Sequence, residues 1–307
     1  MLSVVINFYN NRREAMNTLY SLTRAYQQGI RDLDYEVIAM DNGSSQPLSA
    51  DQVRAFGPEF HYRYVQTTSI SPAPALNAAC REARGDCLLV VIDGAHILSP
   101  GVLALAAEAF AHFPAPFLAT VPFHLGPKQQ NQSILEGYNQ QAEDRLLERS
   151  GWKQDGYCLY RIAGSFADAS MGWFGCLFES GCFGLRKTDF LSLGGFDERF
   201  VARGGGLVNL DIFQRALACQ DLQYVMLLGE GSFHQFHGGV ASNASATQHP
   251  WKEFHDEYAQ IHGKPFVRVP RRPFFFGSLP NQALVAARMS ANLGLELWQK
   301  AHAAGQA

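Results

Sequence analysis

Three apolar runs in this chain stop on polar residues of the same kind. They are Ser3-Val4-Val5-Ile6-Asn7-Phe8-Tyr9-Asn10, Glu36-Val37-Ile38-Ala39-Met40-Asp41-Asn42-Gly43 and Leu88-Leu89-Val90-Val91-Ile92-Asp93-Gly94-Ala95-His96. Unbroken Val/Ile/Leu runs of this length predict strands buried on both faces, the pattern of a parallel sheet. Open α/β sheets bind ligands in the crevice past the carboxyl ends of their strands. Asn7, Asp41 and Asp93 are therefore expected on one rim.

Between these runs the spacing turns helical. Asn10 can cap a helix that carries Met16, Leu19, Tyr20 and Leu22. Asp41 to Ser45 forms a turn cluster, followed by a short helix near Gln52 and a strand over His61–Val65. Pro74 opens a helix with body Ala75–Arg84 and Gly85 as its C-cap. Ser99-Pro100 opens another through His112, Ser capping and Pro taking the first helical position. This alternation predicts an α/β fold with a mostly parallel central sheet flanked by helices. Farther on, Gln132–Arg149 reads as an amphipathic helix, Cys182–Arg186 as a strand, Asn209–Cys219 as a helix and Tyr224–Leu228 as a strand. Gly151–Gly184 has no clean period. From Ala241 the composition turns polar, then two helices flank a Pro/Phe-rich linker. The chain divides accordingly into residues 1–240 and a C-terminal helical extension, 241–307.

Composition narrows the class. With 307 residues, 47% hydrophobic and 17% charged, the chain can bury a large core. A net charge of -3 argues against nucleic acid as a partner, because duplex binders concentrate basic charge. The six cysteines form no CxxC pair, which fits a reduced, cytoplasmic protein. No signal peptide precedes the first strand and no apolar run is long enough to span a bilayer. Arg268–Phe276 mixes basic and aromatic residues; it suits peripheral contact with the inner face of a membrane, or an extended tail packed on the domain.

The order of the pieces resembles the family 2 glycosyltransferases of the GT-A fold. In that family a first strand ends in a Tyr-Asn-like pair and a second in Asp-(Asp/Asn)-Gly-Ser; a third ends in Asp-x-Asp, and a Gly-Gly-Phe-Asp-Glu element follows, here Gly194–Glu198. The resemblance spans Leu2 to Gly239. It implies a nucleotide-diphosphate sugar donor, UDP-linked by preference, a glycan or other hydroxyl acceptor, and inversion at the transferred sugar. Carried over by position, Asn7, Tyr9 and Asn10 border the base, with Asn42 beside them and Asn77 near the nucleotide. Asp41 would accept a uracil-like N–H, which suits an acceptor-only carboxylate; alternatively it ends its strand as an Asx-turn. Asp93 matches the first Asp of Asp-x-Asp, facing ribose and diphosphate.

Two departures bear on the chemistry. Ala95 replaces the second Asp, the family's usual direct ligand for Mn²⁺ or Mg²⁺. Asp93 with His96 would compensate. The family's Glu-Asp slots, the second of them its catalytic base, hold Gly206 and Leu207. Candidates to replace that base are Asp211, one helical turn beyond the slot, and Glu179, an acid within an apolar run. Their bland alternatives are a helix N-terminal charge and a salt bridge. Asp168 reads as a loop residue. Of His234 and His237, the latter lies beside glycines and is the candidate metal ligand or diphosphate contact, against a neutral packing histidine. Gly204–Gly206 would let backbone N–H groups approach a phosphate. Trp173 is an acceptor platform or a core aromatic. Rival readings are a catalytically degenerate sugar-nucleotide or glycan binder and a sugar-phosphate nucleotidyltransferase. The second wants a glycine-rich basic loop that Asn10-Asn11-Arg12-Arg13 lacks.

Overall fold

The computed structural model describes residues 1–67, 69, 71–166, 170–239 and 250–303. In chain order the first half holds β1 (Leu2–Phe8), α1 (Arg12–Tyr20), β2 (Tyr35–Asp41), α2 (Ala50–Arg54), β3 (Phe60–Tyr64), α3 (Ala73–Glu82), β4 (Cys87–Val91), β5 (His96–Leu98), α4 (Val102–His112) and β6 (Pro116–His124). There follow α5 (Gln130–Ser133), α6 (Gln140–Ser150), β7 (Ser165–Phe166), β8 (Cys182–Arg186), α7 (Lys187–Ser192), α8 (Val208–Ala218), β9 (Gln223–His234), α9 (Trp251–His262), β10 (Phe274–Gly277) and α10 (Leu284–Ala303). The sheet runs β10-β9-β6-β8-β4-β1-β2-β3. Neighbours are parallel except at β8, which is antiparallel to both β4 and β6.

The unbroken apolar runs have the expected cause. Val4, Ile6, Val37 and Ala39 face one core, closed by Leu19 of α1 and Leu103 and Ala106 of α4. Val5, Ile38 and Met40, one residue out of step, face the other, closed by Leu76 of α3 and Ile212 and Phe213 of α8. Alternate side chains of a strand point to opposite faces, so helices on both sides require every position to be apolar. Each fully buried Val, Leu or Ile contributes about 1.5–3 kcal/mol of transfer free energy.

Element boundaries depart from expectation where a distant contact takes over a local role. Asn10 is not a cap. It lies in the left-handed region with φ 53, and α1 starts after Asn11. Gly85 sits beyond the end of α3; a Cβ there would meet Met1 O at 2.6 Å and Ser3 Oγ at 2.7 Å, so close approach to β1 explains the glycine. Ser99 does not cap α4, which begins at Val102; its hydroxyl bonds Glu230 of β9, and Glu230 Oε2 accepts the Gly101 N–H at 3.1 Å. The single helix expected over Gln132–Arg149 breaks at Gly137, φ 89, and restarts as α6 with Asn139 accepting the Ala142 N–H. The C-terminal segment supplies a strand as well as helices. β10 pairs with β9, and Phe254, Tyr258 and Ala283 join the second core. Arg271 donates to the carbonyls of Leu217 and Cys219, tying the linker to the end of α8, while Phe274 and Phe275 remain exposed. Among the described residues no helix is long and apolar enough to cross a membrane.

Glu230 is buried and accepts hydrogen bonds from Ser99, Tyr157 and Gly101, with no cation paired to it among the described residues. Burial pushes its carboxyl up to about 7. The native state therefore holds a proton that the unfolded chain releases near pH 4.5. The associated stability is complete below pH 4.5 and is lost as pH rises through about 7. Thermal melts across pH 4–8 are expected to show this decline, and Glu230→Gln, which imitates the protonated form, to flatten it.

Candidate active site

A cleft of about 550 Å³ opens past the carboxyl ends of β1 and β4, beside the end of β9. Its first wall carries Asn7, Tyr9, Asn10 and Asn42. Asn7 is 5% exposed, and its Oδ1 is buried with no hydrogen-bond partner among the described residues. A buried acceptor left unpaired calls for a donor from a ligand or water. Asn10 is fixed by its own turn: Oδ1 accepts from Ser45 N–H at 2.8 Å and Ser45 Oγ–H at 3.0 Å, and its N–H donates to Ser44 Oγ at 2.9 Å. These local bonds are what let Asn hold a left-handed backbone.

Asp41 lies behind that wall. It is 1% exposed, does not line the cleft, and accepts the Ser44 N–H at 2.8 Å and the Tyr62 O–H at 3.1 Å. Its action on the cleft runs through Ser44 to Asn10. Asn77 is likewise withdrawn. Its amide donates to Phe196 O and Glu198 Oε1, both at 2.8 Å, and its oxygen accepts the Phe196 N–H at 2.9 Å, pinning the Gly-Gly-Phe-Asp-Glu element to α3.

The cleft floor is a histidine cluster built by strand register. In the sheet His234 of β9 lies opposite both His96 of β5 and His124 of β6. Asp93 and His237 complete the group, and all five residues line the cleft. Gln130 assigns the tautomers. Its backbone N–H donates to His124 Nδ1 at 2.8 Å, so the proton of neutral His124 is on Nε2. Gln130 Oε1 stands 2.9 Å from His234 Nδ1, and an amide oxygen only accepts, so His234 carries its proton there and has a bare Nε2. That nitrogen is 3.1 Å from His237 Nε2 and 3.9 Å from Asp93 Oδ2. His96 Nε2 is 3.7 Å from the same oxygen, while its Nδ1 is buried with no partner. Burial lowers His124 to about 4 and holds His96 and His234 below the ordinary histidine value, keeping the rings neutral.

Asp93, His96 and His234 each offer a ligand atom, all within 4.8 Å of one another. Ligands about 2.1 Å from a shared ion stand roughly 3.0–3.4 Å apart, so a pair at the 4.8 Å limit would draw in by about 1.4 Å to close the set. A neutral imidazole with a bare nitrogen and a carboxylate are the donors a divalent ion needs. The residues present fit such an ion.

A clamp remote in sequence positions His237. Both carboxylate oxygens of Glu143 accept the Phe236 N–H, at 2.9 and 3.0 Å, and Arg13 donates to Glu143 at 3.2 Å and to Phe236 O at 3.3 Å. Sequence reasoning missed Glu143, Gln130 and His124. The available signal was Glu143 four residues before Leu147, on the buried side of α6.

Arg203, Gly204, Gly206, Trp251 and Arg268 also line the cleft. Arg268 stacks over the Phe178 ring at 4.8 Å. Glu179, half-buried, lines the cleft too, and it and Asp93 are the acidic side chains lining it among the described residues. Asp211 is not brought there. It is 1% exposed, accepts from Arg215 Nε at 2.8 Å and lies 3.2 Å from His262 Nε2. Trp173 is fully buried against Phe123 and Tyr160, a core aromatic. Asp168 lies outside the described residues.

Comparison with known proteins bears on the family and the fold. Residues 3–167 match the family model of Glycosyl transferase family 2. Validoxylamine A glucosyltransferase of Streptomyces hygroscopicus subsp. limoneus is 29% identical over 221 residues, covering 68% of this chain and 47% of that protein. The same enzyme of S. hygroscopicus subsp. jinggangensis is also 29% identical over 221 residues, covering 68% of this chain and 50% of its own. The chain thus spans about half the length of the curated relatives it matches. Among solved structures, S. aureus TarS 1-349 superposes with TM-score 0.51 at 15% identity, covering 85% of this chain and 64% of that one. Its complex with UDP-GlcNAc superposes with TM-score 0.54 at 17% identity, covering 85% and 65%. These likenesses establish the GT-A fold.

Proposed function

Since the chain belongs to glycosyl transferase family 2, we propose that its cleft binds a nucleotide-diphosphate sugar, UDP-linked, and transfers the sugar with inversion to a glycan or other hydroxyl acceptor. The observation that carries this reading is the meeting, in one cleft, of a group of asparagines, an Asp–His cluster and the Glu179 carboxylate. Asn7, Tyr9, Asn10 and Asn42 border the base, with Asp41 shaping their turn from behind. Similarity to a UDP-GlcNAc-bound fold and to a glucosyltransferase supports a UDP-hexose donor.

Glu179 takes the acceptor hydroxyl proton as the new bond to the anomeric carbon forms and the bond to the diphosphate breaks. Arg203 and Arg268, which line the cleft, supply positive charge for the departing diphosphate. Asp93, His96 and His234, with His237 beside them, would hold a divalent ion, which when bound neutralises charge on that leaving group. Glu143 and Arg13 keep His237 in place, and Gln130 keeps His234 Nε2 free of a proton.

A thermal-shift screen of nucleotides and UDP-sugars, paired with an assay for released UDP, tests the proposal. A ligand at 100 times its Kd stabilises the native state by about 2.7 kcal/mol. UDP and one UDP-sugar are expected to raise the midpoint and CDP or GDP not to, with slow UDP release from the donor. A midpoint unmoved by every nucleotide would remove the proposal. A shift without transfer or hydrolysis would favour the degenerate binder, the reading to which Ala95, Gly206 and Leu207 point.

A further inference from the structure

Where the family pattern has a second carboxylate, this chain has Ala95, and the side chains grouped with Asp93 are the imidazoles of His96 and His234. We propose that this site selects a transition-metal ion of the imidazole-binding class, Co²⁺ or Zn²⁺ ahead of Mn²⁺, through Asp93, His96 and His234, and does not serve Mg²⁺. The proposal deepens the nucleotide-sugar reading and rests on it only for the anion that completes the ion's coordination.

Three observations carry it. The first is the donor set, one carboxylate oxygen and two nitrogens within 4.8 Å of one another. Mg²⁺ demands oxygen ligands and gives up water reluctantly, whereas imidazole favours the later first-row ions. The second is His96 itself. It is 4% exposed, its Nδ1 is buried without a partner, and Nε2 stands 3.7 Å from Asp93 Oδ2, beyond hydrogen-bond distance. A buried ring nitrogen with no hydrogen-bond partner among the described residues is left costly by folding alone. The cost is offset once a nitrogen ligates an ion. The third is the second shell. Gln130 fixes His234 with its proton on Nδ1, presenting Nε2 as a lone pair toward Asp93 and His237. His124, its Nδ1 already accepting from Gln130, is excluded as a ligand. Gln130 is thus a positioning residue for the ion rather than a contact to it. Three protein ligands leave coordination positions open on the cleft side for diphosphate oxygens.

Calorimetric titration of metal-depleted protein with Co²⁺, Zn²⁺, Mn²⁺ and Mg²⁺, without nucleotide and then with UDP, tests the assignment. Co²⁺ and Zn²⁺ are expected to bind at least about tenfold more tightly than Mg²⁺, with Mn²⁺ between. Bound Co²⁺ should show visible d–d bands that change in His96→Gln and in His234→Gln. Gln130→Ala should weaken Co²⁺ binding by about 10–100-fold, the usual cost of losing an orienting partner. Mg²⁺ binding as tight as Co²⁺ would overturn the proposal, as would Co²⁺ bands unaltered in both histidine variants. Should those variants fail to fold, the order of ions on the wild-type protein decides alone. UDP binding measured in chelator separates the two readings. UDP affinity with no ion bound in any arm sinks the metal assignment and leaves the nucleotide reading intact. Tight Co²⁺ binding with no UDP affinity does the reverse.

Discussion

Glu179→Gln is expected to lower kcat by about 10²–10⁴-fold while leaving UDP affinity unchanged, the signature of removing a group that acts on the proton in flight. The elimination behind this is geometric. Among the described residues the acidic side chains that line the cleft are Asp93 and Glu179, and Asp93 accepts the Ala95 N–H at 2.8 Å and stands within the histidine cluster, which makes Glu179 the proposed base. The Gln variant keeps the shape and one acceptor oxygen and removes only the basicity. Steady-state kinetics with saturating donor, beside calorimetry for UDP, makes the measurement. Near-normal turnover in Glu179→Gln would place the base elsewhere or point to a retaining reaction, which needs none.

Asp211→Ala is expected to cost stability rather than chemistry. Asp211 holds Arg215, whose remaining N–H groups donate to Leu193 O at 2.6 Å and Gly195 O at 2.8 Å. Removing one member of a buried pair leaves the other charge uncompensated, a loss of about 3–5 kcal/mol where both are fully buried. Arg215 keeps 30% of its side chain exposed, so water recovers part of this and the expected loss is about 2–4 kcal/mol. Urea unfolding gives the stability, and single-turnover assays on the folded fraction give the chemistry. A variant that stays stable and loses transfer would return the base to α8.

Asp211 and Glu179 also show where the sequence stops informing. Both are acids near glycine-rich or apolar segments, and their spacing from the family slot favoured Asp211. What separates them is the direction each side chain takes once α8 packs: Asn209 and Leu210 turn to the cleft, and Asp211 turns to Arg215 four residues on. Helix phase relative to a cleft depends on which face the core claims, and that is settled by Ile212 and Phe213 burying against the sheet.

Local pattern by itself determined the sheet-forming runs, the αβ alternation and the rim carrying Asn7 and Asp93, because a strand buried on both faces leaves a continuous apolar signature and its end must be polar. Asp41 was legible as a strand terminus, but not its withdrawal behind Ser44. His96, His234 and His237 were legible as separate candidates, but their meeting with one another and with His124 was decided by tertiary structure. His96, His124 and His234 lie in three strands, brought to one level by β5 pairing antiparallel and β6 parallel to β9. Register between strands distant in sequence is set by backbone hydrogen bonds and by which face is buried, and neither leaves a periodic trace at the residues it brings together.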